Sequence, residues 1–442
     1  MSTDGNAAPT VAIETHGCKL NQADTLKLSR TFAEAGFRHV DTGEPVDVYV
    51  VNSCTVTHVA DGKARHALRA ARRRNPNATI VATGCYAQRS PEELRDLEEI
   101  DLVIGNAEKS TLVRQVVEWM GLPDDIRPIG DELKHTPASV SRTRAMVKIQ
   151  EGCDQVCAYC IVPKVRGRER SIPVDQVVEE VACRVAEGYK EVVLTGTQLG
   201  TYGFEWPNTS LRGLIQSVLS ETAAPRLRVS SLQPQEVDED LLECWSDKRL
   251  CPHFHLPLQS GSDAVLKSMR RRYTSKEYAD AIRLIRDRVP GASITADVIV
   301  GFPGETDEDF QRTYELCDSI EFADMHVFPY SIRPGTTGAH LSGQLLSDVK
   351  TLRVRRLLGL AQKQSLDFRR GVIGETRFVL WELNPVGEPD SDEGLRWSGL
   401  TEDYVRVAAA GETGLGNRIT PVRLMSVDET GVLAELINLA SH

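Results

Sequence analysis

The chain has 442 residues, too many for one ordinary core, so two or three domains are expected. Acidic residues (63) exceed basic ones (52) and give a formal net charge of −11, which argues against a wholesale nucleic-acid binder but leaves room for a local basic patch. No apolar run approaches the roughly 20 residues that span a bilayer. The opening MSTDGNAAPT lacks the basic-then-apolar order of a signal peptide, so a cytoplasmic protein without membrane association is expected. In that reducing compartment ten cysteines are ligands, nucleophiles or small core residues rather than disulfides.

Residues 1–121 alternate strand-like and helical text. VAIET (11–15), DVYVVNS (47–53), ATIVATG (78–84) and DLVIG (101–105) are short β-branched runs separated by helical stretches, the pattern of a doubly wound parallel α/β sheet. Cys18, Cys54 and Cys85 each follow one of the first three of these strands. Groups at the carboxyl ends of strands in an open α/β sheet converge on one crevice, so the three are expected to meet. Residues 122–144 are polar, carry three prolines and read as a linker.

A second βα series occupies residues 145–370, with strand candidates AMVKIQ (145–150), EVVLTG (191–196), RLRVSS (226–231), PHFHLPL (252–258), ASITADVIVG (292–301) and DMHVFPYS (324–331). Six such units predict a full or partial βα barrel whose working face is the set of loops after the strands. Cys153, Cys157 and Cys160, spaced C-x₃-C-x₂-C, lie in the loop after the first strand. A long basic helix closes this domain. Residues 371–442 then read as a small antiparallel β-barrel of OB-like size, from strands TRFVLWE, YVRVAAA, ITPVRLMSV and GVLAELINL. Cys183, Cys244, Cys251 and Cys317 sit in ordinary helical or strand-like text and read as core residues.

Three thiolates can hold three irons of a 4Fe–4S cubane, a cluster otherwise held by four cysteines, and leave one iron open to substrate. A zinc knuckle with a distant fourth ligand, such as His253 or His255, satisfies the same spacing.

CDQVCAYC (153–160) resembles the signature of radical S-adenosylmethionine enzymes. Beyond it, THGCKLNQADT (15–25), VVNSCTVT (50–57), ATGCYAQ (82–88), HLPLQSGSDAVLKSMRRRYT (255–274) and VIVGFPGETDEDF (298–310) resemble the methylthiotransferases of that superfamily over nearly the whole chain. The resemblance implies a partial barrel at the centre and an RNA-binding barrel at the end. It implies that Cys153, Cys157 and Cys160 bind the radical-generating 4Fe–4S cluster, and that Cys18, Cys54 and Cys85 bind an auxiliary 4Fe–4S cluster. S-adenosylmethionine would then serve twice, as methyl donor and as the source of a 5′-deoxyadenosyl radical, and the net change is C–H to C–S–CH₃. By the same resemblance Tyr159, Thr195, Gly196, Thr197 and Gly301 are candidates to contact S-adenosylmethionine, and a low-potential electron donor and a sulfur donor are implied partners.

Three branches of the family act on isopentenyladenosine in tRNA, on threonylcarbamoyladenosine in tRNA, and on an aspartate of a ribosomal protein. GCKLNQADT and CIVPKVRGRERS resemble the threonylcarbamoyladenosine branch, with Lys164 a departure where an aromatic or small residue is usual. Arg166, Arg168 and Arg170 suit a substrate carboxylate, which guanidinium groups bind bidentately, and equally suit phosphates. A tRNA anticodon loop is the expected partner. Basic stretches at Lys63–Arg73, Arg270–Arg272, Arg353–Arg370 and Arg406–Arg423 are candidate contacts. The contrasting class is a zinc-dependent RNA-binding protein without catalysis.

Overall fold

The computed structural model describes residues 8–123, 143–386, 395–411, 414–428 and 431–437. Most of the stretch read as a linker, residues 124–142, lies outside the described residues. The chain divides into two compact units. One comprises Met1–Val140 with Glu151–Gln155 and Cys160–Glu169, and the other holds the remaining residues.

The first unit is built on a parallel sheet of β1 (Thr10–Thr15), β2 (Arg38–His39), β3 (Val48–Ser53), β4 (Thr79–Gly84) and β5 (Leu102–Gly105), in the order β2-β1-β3-β4-β5. Successive side chains point to opposite faces. Val48 and Val50 therefore pack with Leu28, Phe32, Leu112 and Val116 in one layer, while Tyr49 and Val51 pack with Ala64, Leu68 and Ala71 in the other. Both faces are covered by helices, which is why these strands read as continuous apolar runs rather than alternating ones. Cα register places Val50 beside Ile13 and Val81, so the ends of β1, β3 and β4 are level. After β1 the chain moves outward to β2 and then returns on the other side to β3, which makes the β1/β3 boundary the topological switch point of the sheet.

The second unit contains six parallel strands, β6 (Arg144–Lys148), β7 (Glu191–Thr195), β8 (Arg226–Val229), β9 (His253–His255), β10 (Ser293–Val300) and β11 (Asp324–Pro329). They form two three-stranded ladders, β6-β7-β8 and β9-β10-β11. Single parallel bridges, Leu227 to Leu250 and Ser231 to His255, join the two. Among the described residues no ladder joins β11 back to β6, so the barrel is partial. A 25-residue helix, Ser347–Gly371, closes it. The terminal strands β12 (Thr376–Trp381), β13 (Leu395–Thr401), β14 (Arg406–Gly411), β15 (Ile419–Val427) and β16 (Val432–Leu436) make a closed barrel in the order β12-β13-β14-β16-β15, around buried Trp381 and Trp397. Its second strand, LRWSGLT, was not among the expected ones. Gly399 is required there, since a Cβ would meet Val379 Cγ1 at 2.4 Å.

The terminal barrel is fixed to the base of the central strands by buried charge. Arg226 donates to the carbonyls of Phe378 and Leu400, and Tyr404 stacks on His253 beneath the Arg228 guanidinium. Arg228 in turn donates to both oxygens of fully buried Glu191, at 2.8 and 3.2 Å. Removing one member leaves the other charge buried without its partner. Glu191→Ala is therefore expected to cost about 3–5 kcal/mol, seen as a marked fall in melting temperature, whereas a substitution at an exposed ion pair costs about 1 kcal/mol or less.

Among the described residues no helix is long and apolar enough to cross a membrane. Cys244, Cys251 and Cys317 are buried, and Cys183 is half-buried on its helix.

Candidate functional site

Cys18, Cys54 and Cys85 stand at the carboxyl ends of β1, β3 and β4, and Cys54 and Cys85 are buried while Cys18 is exposed. The turn before Cys18 comes so close to Cys54 that a Cβ on Gly17 would meet Cys54 Cβ at 2.6 Å. Gly17 also has φ of +135°, a conformation that L side chains avoid. Burial first, and then the neighbouring Cys18 and Cys85, push the Cys54 thiol up to about 12. The Cys54 thiol thus lies near both Cys18 and Cys85. Among the described residues a single group of His, Cys, Asp or Glu ligand atoms lies within 4.8 Å of one another, and it contains no cysteine.

Beneath the trio lies a buried polar network. Arg166 is 6% exposed and donates to Glu151 at 2.8 Å, to Asp24 at 3.2 Å and to Asn21 Oδ1 at 3.3 Å. The Cys18 thiol donates to the same Asn21 oxygen at 3.2 Å. Lys109 Nζ is 2.9 Å from Asp24 and 3.3 Å from Asn52 Oδ1. Burial opposes the charge of Arg166, but the Cys85 and Cys18 thiols and the Asp24 and Glu151 carboxylates outweigh it and hold its pKa above the ordinary guanidinium value. Cys85 packs on Ile161 and Val165, and Asn106 donates to the Val165 carbonyl at 2.8 Å. Arg168 is exposed and pairs with Asp154 at 3.0 Å, and Arg170 is exposed.

The C-x₃-C-x₂-C loop leaves β6 and is divided between the units, with Cys153 and Cys160 in the first and Cys157 in the second. In the first, Cys153 N–H donates to the Gly167 carbonyl at 3.2 Å, and Gly152 turns at φ +76°, where a Cβ would meet the Arg168 carbonyl oxygen at 1.9 Å. In the second, Arg271 lies 3.4 Å from Cys157 Sγ, 3.5 Å from Tyr159 Oη and 3.0 Å from Gln233 Oε1. Gln150 Oε1 accepts from the backbone N–H groups of Thr197 and Gln198 and so fixes the turn after β7. Gly196 fits against Gln150 and Leu199 with no room for a Cβ, and Thr195 is buried. Tyr159 packs beside Phe302 and Tyr330. Gly301, at φ +74°, donates to Glu305 at 2.9 Å and passes under Lys350 of the closing helix.

The two histidines considered as a fourth zinc ligand each meet side chains of neighbouring strands. His253 Nε2 meets Thr295 at 3.1 Å, and His255 lies between Ser231 and Asp297. The basic stretches are also partly internal. Arg65 is held by Tyr86 and Glu93, Arg72 by Asp101 and three carbonyls, and Arg353 by Glu305 and Asp307. Arg353 is buried and braces the fold, whereas Arg65 and Arg72 are half-buried and Lys63, Arg69 and Arg73 on the same helix are exposed.

The Radical SAM superfamily model matches residues 147–317, and the model described as Uncharacterized protein family UPF0004 matches residues 10–105. Threonylcarbamoyladenosine tRNA methylthiotransferase MtaB of Aquifex aeolicus is 39% identical over 92% of this chain and 98% of its own length. The chain belongs to the radical S-adenosylmethionine methylthiotransferase family. The protein of the same name from Bacillus subtilis is 36% identical over 94% of each chain. The tRNA-2-methylthio-N(6)-dimethylallyladenosine synthase of Pelotomaculum thermopropionicum is likewise 36% identical, over 96% of each. Among solved structures the radical S-adenosylmethionine methyltransferase TsrM from Kitasatospora setae, with cobalamin and a 4Fe–4S cluster bound, superposes with a TM-score of 0.55 at 15% identity over 75% of this chain and 77% of that one, which establishes a shared fold.

For this methylthiotransferase, as a radical S-adenosylmethionine enzyme, a 4Fe–4S cluster and S-adenosylmethionine are the cofactors. Nothing in sequence order marked Lys109, Gln150 or Gln233 as site residues, and Arg271 was read only within the basic stretch Arg270–Arg272. Asn21 and Asp24 do lie in the GCKLNQADT motif, three and six residues after Cys18, one and nearly two helical turns on.

Proposed function

We propose that this methylthiotransferase acts on tRNA in the cytoplasm. It replaces the C2 hydrogen of N6-threonylcarbamoyladenosine beside the anticodon with a methylthio group, using two 4Fe–4S clusters. The observation that carries the reading is the cysteine trio gathered at the switch point of a doubly wound sheet in a chain that also holds a C-x₃-C-x₂-C loop. One three-cysteine site supplies only half of the chemistry.

When bound, the clusters and S-adenosylmethionine supply one-electron bond cleavage at one centre and a transferable sulfur at the other. The chain's own residues hold and neutralise. Cys18, Cys54 and Cys85 take three irons of the auxiliary cluster, and Cys153, Cys157 and Cys160 take three of the radical cluster. Arg166 and Lys109 bring positive charge beneath the first trio and Arg271 beside Cys157, offsetting the negative charge of thiolate-ligated iron. Tyr159, the Thr195–Gly196–Thr197 turn and Gly301 line the second unit's part of the S-adenosylmethionine site. An external low-potential donor supplies the electron and a sulfur donor renews the auxiliary site. The terminal barrel offers exposed Arg406, Arg418 and Arg423 for phosphates and exposed Phe378 and Met425 for bases.

The dimethylallyladenosine synthase similarity favours isopentenyladenosine as a second reading. Nucleoside analysis of tRNA from a deletion strain separates the two. Loss of the methylthio group from threonylcarbamoyladenosine alone is the expected result.

Carboxylate reading falls to Arg168 rather than Arg166. Arg166 already faces two carboxylates in a buried site, whereas Arg168 is exposed and its pairing with Asp154 is of the kind worth about 1 kcal/mol or less. A charge-assisted contact is worth about 1.5–3 kcal/mol, roughly ten- to a hundredfold. Arg168→Ala is expected to weaken binding of a threonylcarbamoylated anticodon stem-loop by that factor and leave the unmodified one near wild type. Equal losses for both RNAs, with a shallower salt dependence, would assign Arg168 to phosphate instead.

A further inference from the structure

His255 ends β9, Asp297 lies in the middle of β10 and His326 in β11, with Asp297 and His326 directly paired in the parallel register. Side chains alternate along a strand. Ile294, Ala296 and Val298 are buried on one face of β10, so Asp297 belongs to the other. There His255 Nε2 and His326 Nδ1 each stand 3.3 Å from the same oxygen, Asp297 Oδ1, and the three atoms lie within 4.8 Å of one another.

Those two distances are long for hydrogen bonds between a charged carboxylate and an imidazole, which close to about 2.7–2.9 Å. They match the edge of a tetrahedron whose bonds are about 2.0–2.1 Å, an edge of about 3.3–3.4 Å. A second, independent feature points the same way. His255 Nδ1 is 2.7 Å from Ser231 Oγ. If that nitrogen carries the proton and donates it to the serine, Nε2 presents its lone pair to an ion, and outer partners of this kind accompany metal-bound histidines. The His326 side chain is 59% exposed, so the third side of the triangle opens outward.

We propose that His255, Asp297 and His326 bind one divalent transition-metal ion of the zinc class, independently of the cysteine sites. Two imidazoles and one carboxylate suit zinc better than magnesium or calcium, which prefer an all-oxygen shell. Three protein ligands leave a fourth position for water or an anionic oxygen.

The test uses the holoenzyme with its iron–sulfur clusters in place, equilibrated with micromolar zinc, desalted, and assayed for zinc and iron together. Wild type is expected to keep about one zinc per chain, the one tetrahedral site proposed. His326→Ala and Asp297→Asn are expected to keep less than about a tenth of that, with iron unchanged, since loss of a ligand should cost at least as much as the 10–100-fold typical of an outer partner. Ser231→Ala, which touches no ion directly, is expected to weaken zinc binding by about 10–100-fold. Exposed His326 can be changed without disturbing the core, so it decides the matter should Asp297→Asn fold poorly. Wild type that retains no zinc, or variants that retain as much as wild type, would overturn the assignment.

Discussion

Cys157→Ala is expected to abolish reductive cleavage of S-adenosylmethionine while leaving the auxiliary cluster in place. Cys157 belongs to the unit that carries the six-stranded partial barrel, and its Sγ sits 3.4 Å from Arg271. The substitution removes one of the three ligands proposed for the radical cluster. The cysteines of the other trio stand at the carboxyl ends of strands of the first unit and are untouched. The two sites therefore separate in measurement. Iron should fall from about eight per chain toward about four, the content of one cubane. The 5′-deoxyadenosine produced on reduction, followed by mass spectrometry, should drop to background. Undiminished cleavage in this variant would remove the radical role from the C-x₃-C-x₂-C loop. A colourless wild-type protein holding stoichiometric zinc at the cysteines would remove iron–sulfur chemistry from both.

The sheet of the first unit was legible because both of its faces are buried. Each strand is then a run of β-branched residues, and each cysteine falls at the position where that run stops. All six central strands were placed, although His253–His255 is only three residues long where PHFHLPL (252–258) was expected. In the terminal barrel the strand Leu395–Thr401 escaped because its only β-branched residue is its last and Ser398 and Gly399 interrupt its apolar residues. What sequence order could not supply was pairing across distance. Arg166 reads as one of three arginines in a basic loop, yet it alone is buried, with acidic partners 142 and 15 residues away. Arg271 reads as the middle of a basic triplet, yet it alone turns in to Cys157, 114 residues distant. A charged residue's role is set by its partners, and only the fold chooses them.

Cys54→Ala is expected to lose the auxiliary cluster and all methylthio product, while cleavage of S-adenosylmethionine to 5′-deoxyadenosine persists. Cys54 is the central member of its trio, since β3 lies between β1 and β4 and its cysteine adjoins both Cys18 and Cys85. Alanine fits the space without strain, so the sheet should survive and the effect should be confined to metal. The same thiol predicts a pH dependence of assembly. With burial holding it at about 12 before metal binds, Cys54 is protonated at neutral pH, and cluster insertion must expel that proton. Iron loading of the first trio is therefore expected to improve as the pH of reconstitution rises from about 7 to about 8.5, and the effect should vanish in Cys54→Ala. Arg166→Met makes the complementary change, keeping volume while removing the charge next to Cys18 and Cys85. It should destabilise the negatively charged cluster and lower product formation on every tRNA substrate alike, with cleavage of S-adenosylmethionine retained. Joint loss of iron from both sites in Cys54→Ala would point instead to a folding defect. Retention of full methylthio product would show that the trio at the switch point does not carry the sulfur.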